Sequence, residues 1–314
     1  MKDLRVIFMG TPELSVPVLK ALIENTNVIL VVTKPDSLVG RKKILTPSPV
    51  AKLAEEYHIP VFKPSKLKLE SDTITNLNAD IIITCAYGKI IPKIILDNPR
   101  YGCINVHASL LPKYRGANPI QQVLYNGEDK TGVTIMYMDE GIDTGNIIHA
   151  REIPITLEDN IETLSNKISE VGAKLLIDTL PKIITGENFD IKQDEEEATY
   201  VGYLTREDER IDFNRTCKQV YDHIRSMNPY PLANFLLNGE EVKVIEATMS
   251  ENCYPDKTGV ITSVNKDSIG IMCNDYEILI TKIKPFGKNI MNVRDYLNGK
   301  NKDSLLGVKI NETI

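Results

Sequence analysis

The chain has 314 residues, 42% hydrophobic and 25% charged, with 37 Lys and Arg against 43 Asp and Glu, a net charge of −6. That length predicts two globular domains and excludes collagenous, low-complexity and wholly disordered chains. No apolar run reaches the roughly 18 residues that span a bilayer, and the acidic total argues against a general nucleic-acid binder.

In chain order, Leu4–Met9 is a short apolar run closed by Gly10-Thr11-Pro12 and reads as a buried strand with its turn. Val16, Leu19, Ala21, Leu22 and Ile23 then predict a helix. Val28–Val32, Ile81–Thr84, Cys103–His107 and Val133–Met138 predict further strands, and a helical segment starts at Pro119. Such alternation predicts a mostly parallel sheet covered by helices on both faces. From Asn160 a long helix is expected, because Ile161, Leu164, Ile168, Val171, Leu175 and Thr179 recur at helical spacing and Gly186 can stop it. An acidic stretch to about Thr205 reads as a linker. Val220–Met227 predicts a helix ending before Asn228-Pro229. The runs 233–237, 242–247, 259–264, 268–273 and 277–283 predict the short strands of a small barrel.

Charge is unevenly spread. Residues 187–197 hold six acidic side chains against one Lys, whereas residues 34–68 hold eight basic and three acidic ones, so the acidic total hides a basic region. The five cysteines are scattered, with no C-x-x-C, which predicts neither a disulfide framework nor a zinc site and fits a reducing cytoplasm. The first residues lack the long apolar region and cleavage site of a signal peptide.

Gly10-Thr11-Pro12 stands where a dinucleotide site would carry G-x-G-x-x-G; that fingerprint is absent, which disfavours a nicotinamide oxidoreductase. Asn105 and His107 lie two apart on one strand and are expected on the same side of its C-terminal end, where open α/β sheets bind ligands. An amide donor beside an imidazole suits oxyanion stabilisation and proton movement; the plainer alternative is a strand-end histidine satisfied by backbone. The irregular loop from Ser109 to Gly116 can offer main-chain groups to a flat heterocycle, or simply connect two elements. Asp143, between Gly141 and Gly145, is either a turn former or a catalytic carboxylate, depending on whether its loop approaches His107. Gly40-Arg41-Lys42-Lys43 is a short basic run in a long loop, expected to leave the same sheet edge; it is either solvated surface or a phosphate contact.

The segments RVIFMGTPEL, KPDSLVGRKKILTPSPV, AYGKIIPK, GCINVHASLLPKYRGANPIQ, TGVTIMYMDEGIDTG and, further on, RIDFNRT, IRSMNPYPLA and GEEVKV resemble the methionyl-tRNA formyltransferases along nearly the whole chain. The resemblance implies an α/β, Rossmann-like formyltransferase domain over residues 1–186, an acidic linker over 187–204, and a C-terminal OB-like β-barrel domain over 205–314. It assigns Asn105, His107 and Asp143 to catalysis. It assigns main-chain groups of Ala86, Tyr87, Gly88, Lys89, Ile90 and Ile91, together with Ser109, Leu110, Leu111 and Pro112, to the folate. It gives Arg41, Lys42 and Lys43 to the tRNA acceptor end, with the barrel holding the tRNA from the other side. The implied donor is 10-formyltetrahydrofolate and the implied acceptor initiator methionyl-tRNA, with no metal, no membrane, and a cytoplasmic monomer. Asn118, where the family usually has Ala, and Ile44, where a basic residue is common, depart from the pattern.

On this expectation Asn105 and His107 donate to the oxyanion of a tetrahedral intermediate, while Asp143 orients His107 and helps carry protons. A formyltransferase acting on a sugar-nucleotide amine and a formyl-tetrahydrofolate hydrolase would share the same N-terminal site. A non-catalytic RNA-binding protein would leave Asn105, His107 and Asp143 unexplained. Residues 205–314 are also poorly basic for that role, with 15 Lys and Arg against 16 Asp and Glu.

Overall fold

The computed structural model describes residues 1–40, 42–187 and 189–312; Arg41, one of the expected tRNA contacts, lies outside them. The chain forms two compact units that interleave in sequence. One holds Met1–Pro119, Lys130–Pro154 and Ser165–Gly202; the other holds Ile120–Asp129, Ile155–Leu164 and Tyr203–Ile314. Among the described residues, no helix is long and apolar enough to cross a membrane.

The strands of the first unit are β1 (Arg5–Gly10), β2 (Asn27–Val32), β3 (Ser37–Val39), β4 (Ile44–Thr46), β5 (Val61–Phe62), β6 (Ile81–Cys85), β7 (Cys103–His107), β8 (Arg115–Gly116), β9 (Lys130–Tyr137), β10 (Ile147–Pro154) and β11 (Tyr200–Val201). The helices up to that point are α1 (Val16–Asn25), α2 (Pro49–Glu56), α3 (Asp72–Thr75), α4 (Lys93–Leu96), α5 (Pro119–Tyr125) and α6 (Ile161–Thr185). The main sheet has the order β10-β9-β7-β6-β1-β2-β5. β5, β2, β1, β6 and β7 are parallel, while β9 and β10 are antiparallel additions at one side. The central strands are apolar without alternation, and Val6, Ile7, Phe8, Met9, Ile81, Ile82 and Ile83 are wholly buried, as a sheet covered on both faces requires.

α6 runs where the periodicity placed it. Asn160 Oδ1 accepts from the backbone N–H groups of Glu162 and Thr163, both at 2.9 Å, and Gly186 ends the helix at φ +73°. At Gly172 the helix passes close to β7 and β9: a Cβ there would lie 3.0 Å from Val106 Cγ1. Several elements carried no readable pattern. β5 and the β3/β4 hairpin are too short to show an alternation, and β10 is an edge strand with a mixed burial pattern. α2 begins at Ser48, whose Oγ accepts from Ala51 N at 3.0 Å, inside a stretch the prolines mark as loop.

The second unit adds α7 (Cys217–Ser226), β12 (Asn234–Leu237), β13 (Glu240–Met249), β14 (Ile261–Val264), β15 (Ile269–Met272), β16 (Glu277–Pro285), β17 (Met291–Asn292) and α8 (Val293–Leu297). Its sheet is antiparallel, in the order β12-β13-β16-β15-β14 with β17 on β16, an OB-like half-barrel. The last turn of chain links the two ends of that path. Ile261 N donates to Val308 O, and Asn311 N donates to Leu236 O, each at 2.9 Å. α7 is fixed by a reciprocal capping box between Thr216 and Gln219 and packs Val220 and Ile224 into the barrel core.

His223 on α7 is buried, stacks edge-on against Tyr125 and meets the Asp208 carbonyl at 2.8 Å. Burial, with Arg215 adding to it against the pull of the Asp208 carbonyl, lowers its pKa to about 4. The folded state therefore holds the ring neutral while the unfolded chain binds a proton near pH 6.5. Stability from this site is present above pH 6.5 and is lost as pH falls toward 4, at about 1.4 kcal/mol per pH unit. Urea unfolding at pH 7.0, 6.0 and 5.0 should show this slope, and His223→Gln should flatten it. Equal slopes for the two proteins would contradict the assignment.

Candidate active site

The C-terminal ends of β1, β2, β6 and β7 share one edge of the sheet, because these strands run parallel. Asn105 and His107 end β7 on that edge, with Thr84 of β6 opposite Asn105. Thr84 Oγ1 donates to Asn105 Oδ1 at 2.8 Å, so the Asn105 amide must turn its NH₂ away from Thr84. Nδ2 then donates to Asp143 Oδ1 at 3.3 Å, leaving one N–H for a ligand. The second Asp143 oxygen accepts from Gly116 N at 2.8 Å and lies 3.6 Å from His107 Nδ1. The Gly141–Gly145 loop therefore does approach His107, and Asn105, His107 and Asp143 form one cluster. His107 is buried and the Asp143 side chain mostly so, with relative exposures of 6% and 16%.

The histidine is held differently from the expectation of a direct donor to an oxyanion. His107 Nε2 lies 3.0 Å from the Tyr114 carbonyl, which can only accept, so Nε2 carries a proton. Nδ1 faces the Asp143 carboxylate at a distance too long for a good hydrogen bond, and protonating it completes an ion pair. His107 thus offers an N–H to a bound oxygen only by leaving the Tyr114 carbonyl. Of its two ring nitrogens, Nδ1 is the one that faces a carboxylate.

Asp143 adopts the left-handed conformation, φ +54°, a region that Asp tolerates better than most non-glycine residues. The Asp139 carboxylate shapes the loop by accepting from Gly141 N at 3.0 Å and from Thr144 Oγ1 at 2.6 Å. Gly145 lies against the Tyr137 carbonyl, where a Cβ would overlap the oxygen.

The two segments expected to bind folate flank this cluster. In residues 86–91 the side chains of Tyr87 and Ile91 enter the core, and Ile90 is 91% exposed. Ala86 and Gly88 have φ of +47° and +70°. The loop is tied down by Thr11 Oγ1 donating to Tyr87 O at 3.2 Å and by Lys89 Nζ donating to Pro64 O at 2.8 Å. In residues 109–112 Ser109 is buried, with its hydroxyl donating to Lys113 O at 2.8 Å, and Leu111 is buried while Leu110 and Pro112 are partly exposed. Thr134 of β9 clamps this loop: its hydroxyl donates to Ser109 O at 2.6 Å and accepts from Leu111 N at 3.2 Å. Sequence reasoning had no signal for Thr134, one hydroxyl within an apolar strand.

Of the basic run, Gly40, Lys42 and Lys43 lie between β3 and β4, which pair as a hairpin within the expected long loop. Lys42 and Lys43 are exposed there, and Leu38, Val39, Ile44 and Leu45 along the hairpin are each more than half exposed. The hairpin follows β2 and so leaves the sheet on the same edge as the cluster. Asn118 uses its amide locally, donating to Gly202 O at 2.9 Å.

Residues 190–201 of the acidic segment belong to the first unit and are bonded into it at several points. Ile191 exchanges two backbone bonds of 2.8 Å with Ile147, and β11 pairs with β8. Arg115 is fully buried and grips Glu195 with two bonds of 2.9 Å, which hold that carboxyl below its usual range. Gln193, also buried, bonds to the Asp143 loop. None of these partners was foreseen.

An amide, an imidazole and a carboxylate meet at the carboxyl ends of a parallel sheet in an α/β fold, an arrangement suited to group transfer. The profile of the formyl transferase family matches residues 4–180, and that of the formyl transferase C-terminal domain matches residues 203–301. The chain belongs to the formyl transferase family. It is 44% identical over 305 residues to the methionyl-tRNA formyltransferase of Staphylococcus epidermidis, covering 96% of this chain and 98% of that one. It is 46% identical over 301 residues to that of Bacillus velezensis, covering 95% of each. The fold is also that of the N-formyltransferase from Helicobacter canadensis, solved with folinic acid and dTDP-3-aminofucose. That match has a TM-score of 0.68 at 21% identity and covers 90% of this chain and all of that one.

Proposed function

We propose that the protein transfers the formyl group of 10-formyltetrahydrofolate to the α-amino group of methionine carried by initiator tRNA. The observation that carries this reading is the Asn105–His107–Asp143 cluster in a chain that is 44–46% identical, over nearly its whole length, to methionyl-tRNA formyltransferases. The two folate segments, 86–91 and 109–112, hold the donor's heterocycle with main-chain groups. The amine must be neutral to attack, and free α-amino groups have pKa values of about 7.7–8.0. As it bonds to the formyl carbon, the carbonyl oxygen gains charge, and the free N–H of Asn105 stabilises it; a preorganised donor of this kind is worth about 2.7–4 kcal/mol. The proton lost by the amine goes to His107 Nδ1, where the Asp143 carboxylate stabilises the imidazolium, and returns to the leaving nitrogen of the folate. The same reading has the chain acting as a cytoplasmic monomer, divided near residues 186 and 204, with the C-terminal half-barrel on the tRNA.

The test is an assay of the purified protein with 10-formyltetrahydrofolate and three acceptors: charged initiator tRNA, free methionine and a sugar-nucleotide amine. Formylation of the tRNA alone is expected. Formylation of the sugar amine but not of the tRNA overturns the reading.

The hairpin provides a second check. A protein of net charge −6 must draw tRNA affinity from local basic patches. Alanine at Arg41, Lys42 or Lys43 should weaken use of charged tRNA. Removing one cation–phosphate pairing should flatten the log–log salt dependence by about 0.9, or about 0.7 on single-stranded ends. Folate affinity, measured separately, should hardly change. Rates on tRNA that stay the same at every salt concentration would remove the hairpin from the tRNA site.

A further inference from the structure

Among the described residues of the acidic run between the two family-matched regions, Gln193 is the buried neutral side chain, and both of its amide atoms are bonded. Nε2 donates to the carbonyl oxygens of Asp143 and Gly145, at 2.8 and 2.7 Å, and Oε1 accepts from Arg115 Nε at 3.0 Å. The amide's orientation is dictated by chemistry, because a guanidinium only donates and a carbonyl only accepts. Arg115 is locked in turn by its fork onto Glu195 and by NH1 donating to Tyr200 Oη at 2.7 Å. The backbone on either side of Arg115 supplies the remaining ties: the Tyr114 carbonyl meets His107, and Gly116 N donates to the Asp143 carboxylate.

Asp139 shapes the Asp143 loop from within, and Gly116 N and Asn105 hold the Asp143 carboxylate, while Gln193 ties the backbone of Asp143 and Gly145. Ile142 is 65% exposed and so gives no apolar anchor, and Asp143 sits at a positive φ. We propose that Gln193, oriented by Arg115, is the positioning residue of this active site, holding the Asp143 backbone so that its carboxylate stays between Asn105 and His107. The proposal rests on the reading of Asp143 as a catalytic group. On this view the segment between the two family-matched regions completes the site.

The experiment is a double-mutant cycle on the whole chain, with 10-formyltetrahydrofolate and charged initiator tRNA as substrates. Gln193→Glu keeps the acceptor toward Arg115 but sets an oxygen against two carbonyls. A displacement near 1 Å at a reacting centre typically costs on the order of 10²-fold, so kcat should fall by about 10- to 100-fold. KM for the folate donor should stay within about threefold, because the folate segments are untouched. Gln193→Asn carries the same amide one methylene short, should fall in the same direction, and decides the matter if Gln193→Glu does not fold. Added to Asp143→Ala, either change should cost less than about threefold more, since a residue acting through Asp143 has nothing left to position. Unaltered turnover in both Gln193 variants, losses that multiply with Asp143→Ala, or failure of both variants to fold overturns the proposal. An inactive Asp143→Ala beside active Gln193 variants removes the proposal alone. An active Asp143→Ala removes the catalytic reading and the proposal with it, and an unaltered protein that does not formylate the tRNA removes the functional reading beneath both.

Discussion

Alanine at Asn105, His107 or Asp143 is expected to lower turnover by about 10²–10⁴-fold in each case while the protein stays folded. The three side chains meet at the edge of the sheet, and none belongs to the apolar core that holds the strands together. Each truncation breaks a different part of one unit. Asn105→Ala removes the N–H proposed to meet the developing oxyanion, His107→Ala removes the proposed proton carrier, and Asp143→Ala leaves Gly116 N and His107 Nδ1 without their common partner. The losses should therefore be far from additive, and the triple variant should be little worse than the worst single one. The measurement is kcat at saturating tRNA and folate, with circular dichroism to verify the fold. Near-normal turnover in all three variants would show that the chemistry lies elsewhere.

Gly116→Ala is expected to be a strongly damaging one-carbon change near the site. Gly116 has φ +112°, and a Cβ there would overlap the Val201 carbonyl oxygen, a backbone atom that cannot turn aside. β8 would have to leave β11, moving Gly116 N away from Asp143 Oδ2. A hydrogen bond to a charged group contributes about 1.5–3 kcal/mol, and leaving the left-handed conformation to glycine avoids roughly 1–2 kcal/mol more. Turnover should drop by at least about 10²-fold, and thermal unfolding should shift down by several degrees. A variant that melts normally and turns over normally would mean that the β8–β11 pairing is dispensable. Gly186→Ala is a useful control, because that glycine also has a positive φ but would place its Cβ in open space.

The elements that local pattern could reveal were those long enough to show a period or a continuous apolar run. β1, β2, β6, β7 and β9 carry apolar runs, and α6 repeats its apolar side chains turn after turn, so the α/β class and the mostly parallel sheet were legible from the chain alone. The pairing of Asn105 with His107 was legible for the same reason: alternate residues of a strand share a face. Strand order was not legible, nor were β5 and the β3/β4 hairpin, because a two- or three-residue strand has no period and gains its stability from partners distant in sequence; β10 is longer but is an edge strand with a mixed burial pattern.

The approach of Asp143 to His107 depends on the tertiary structure. The two are far apart in the chain, and their contact follows from β7 and β9 being neighbours in the sheet, with the Asp143 loop turning back from the end of β9. The same holds for residues 191–201. Their composition is that of a solvated tether, since acidic side chains are normally exposed. What determines their conformation is the buried guanidinium of Arg115, which needs a carboxylate and an amide oxygen beside it once it is out of water. A charge that must be paired on burial can recruit partners from 80 residues away, and no local pattern in a sequence records that demand.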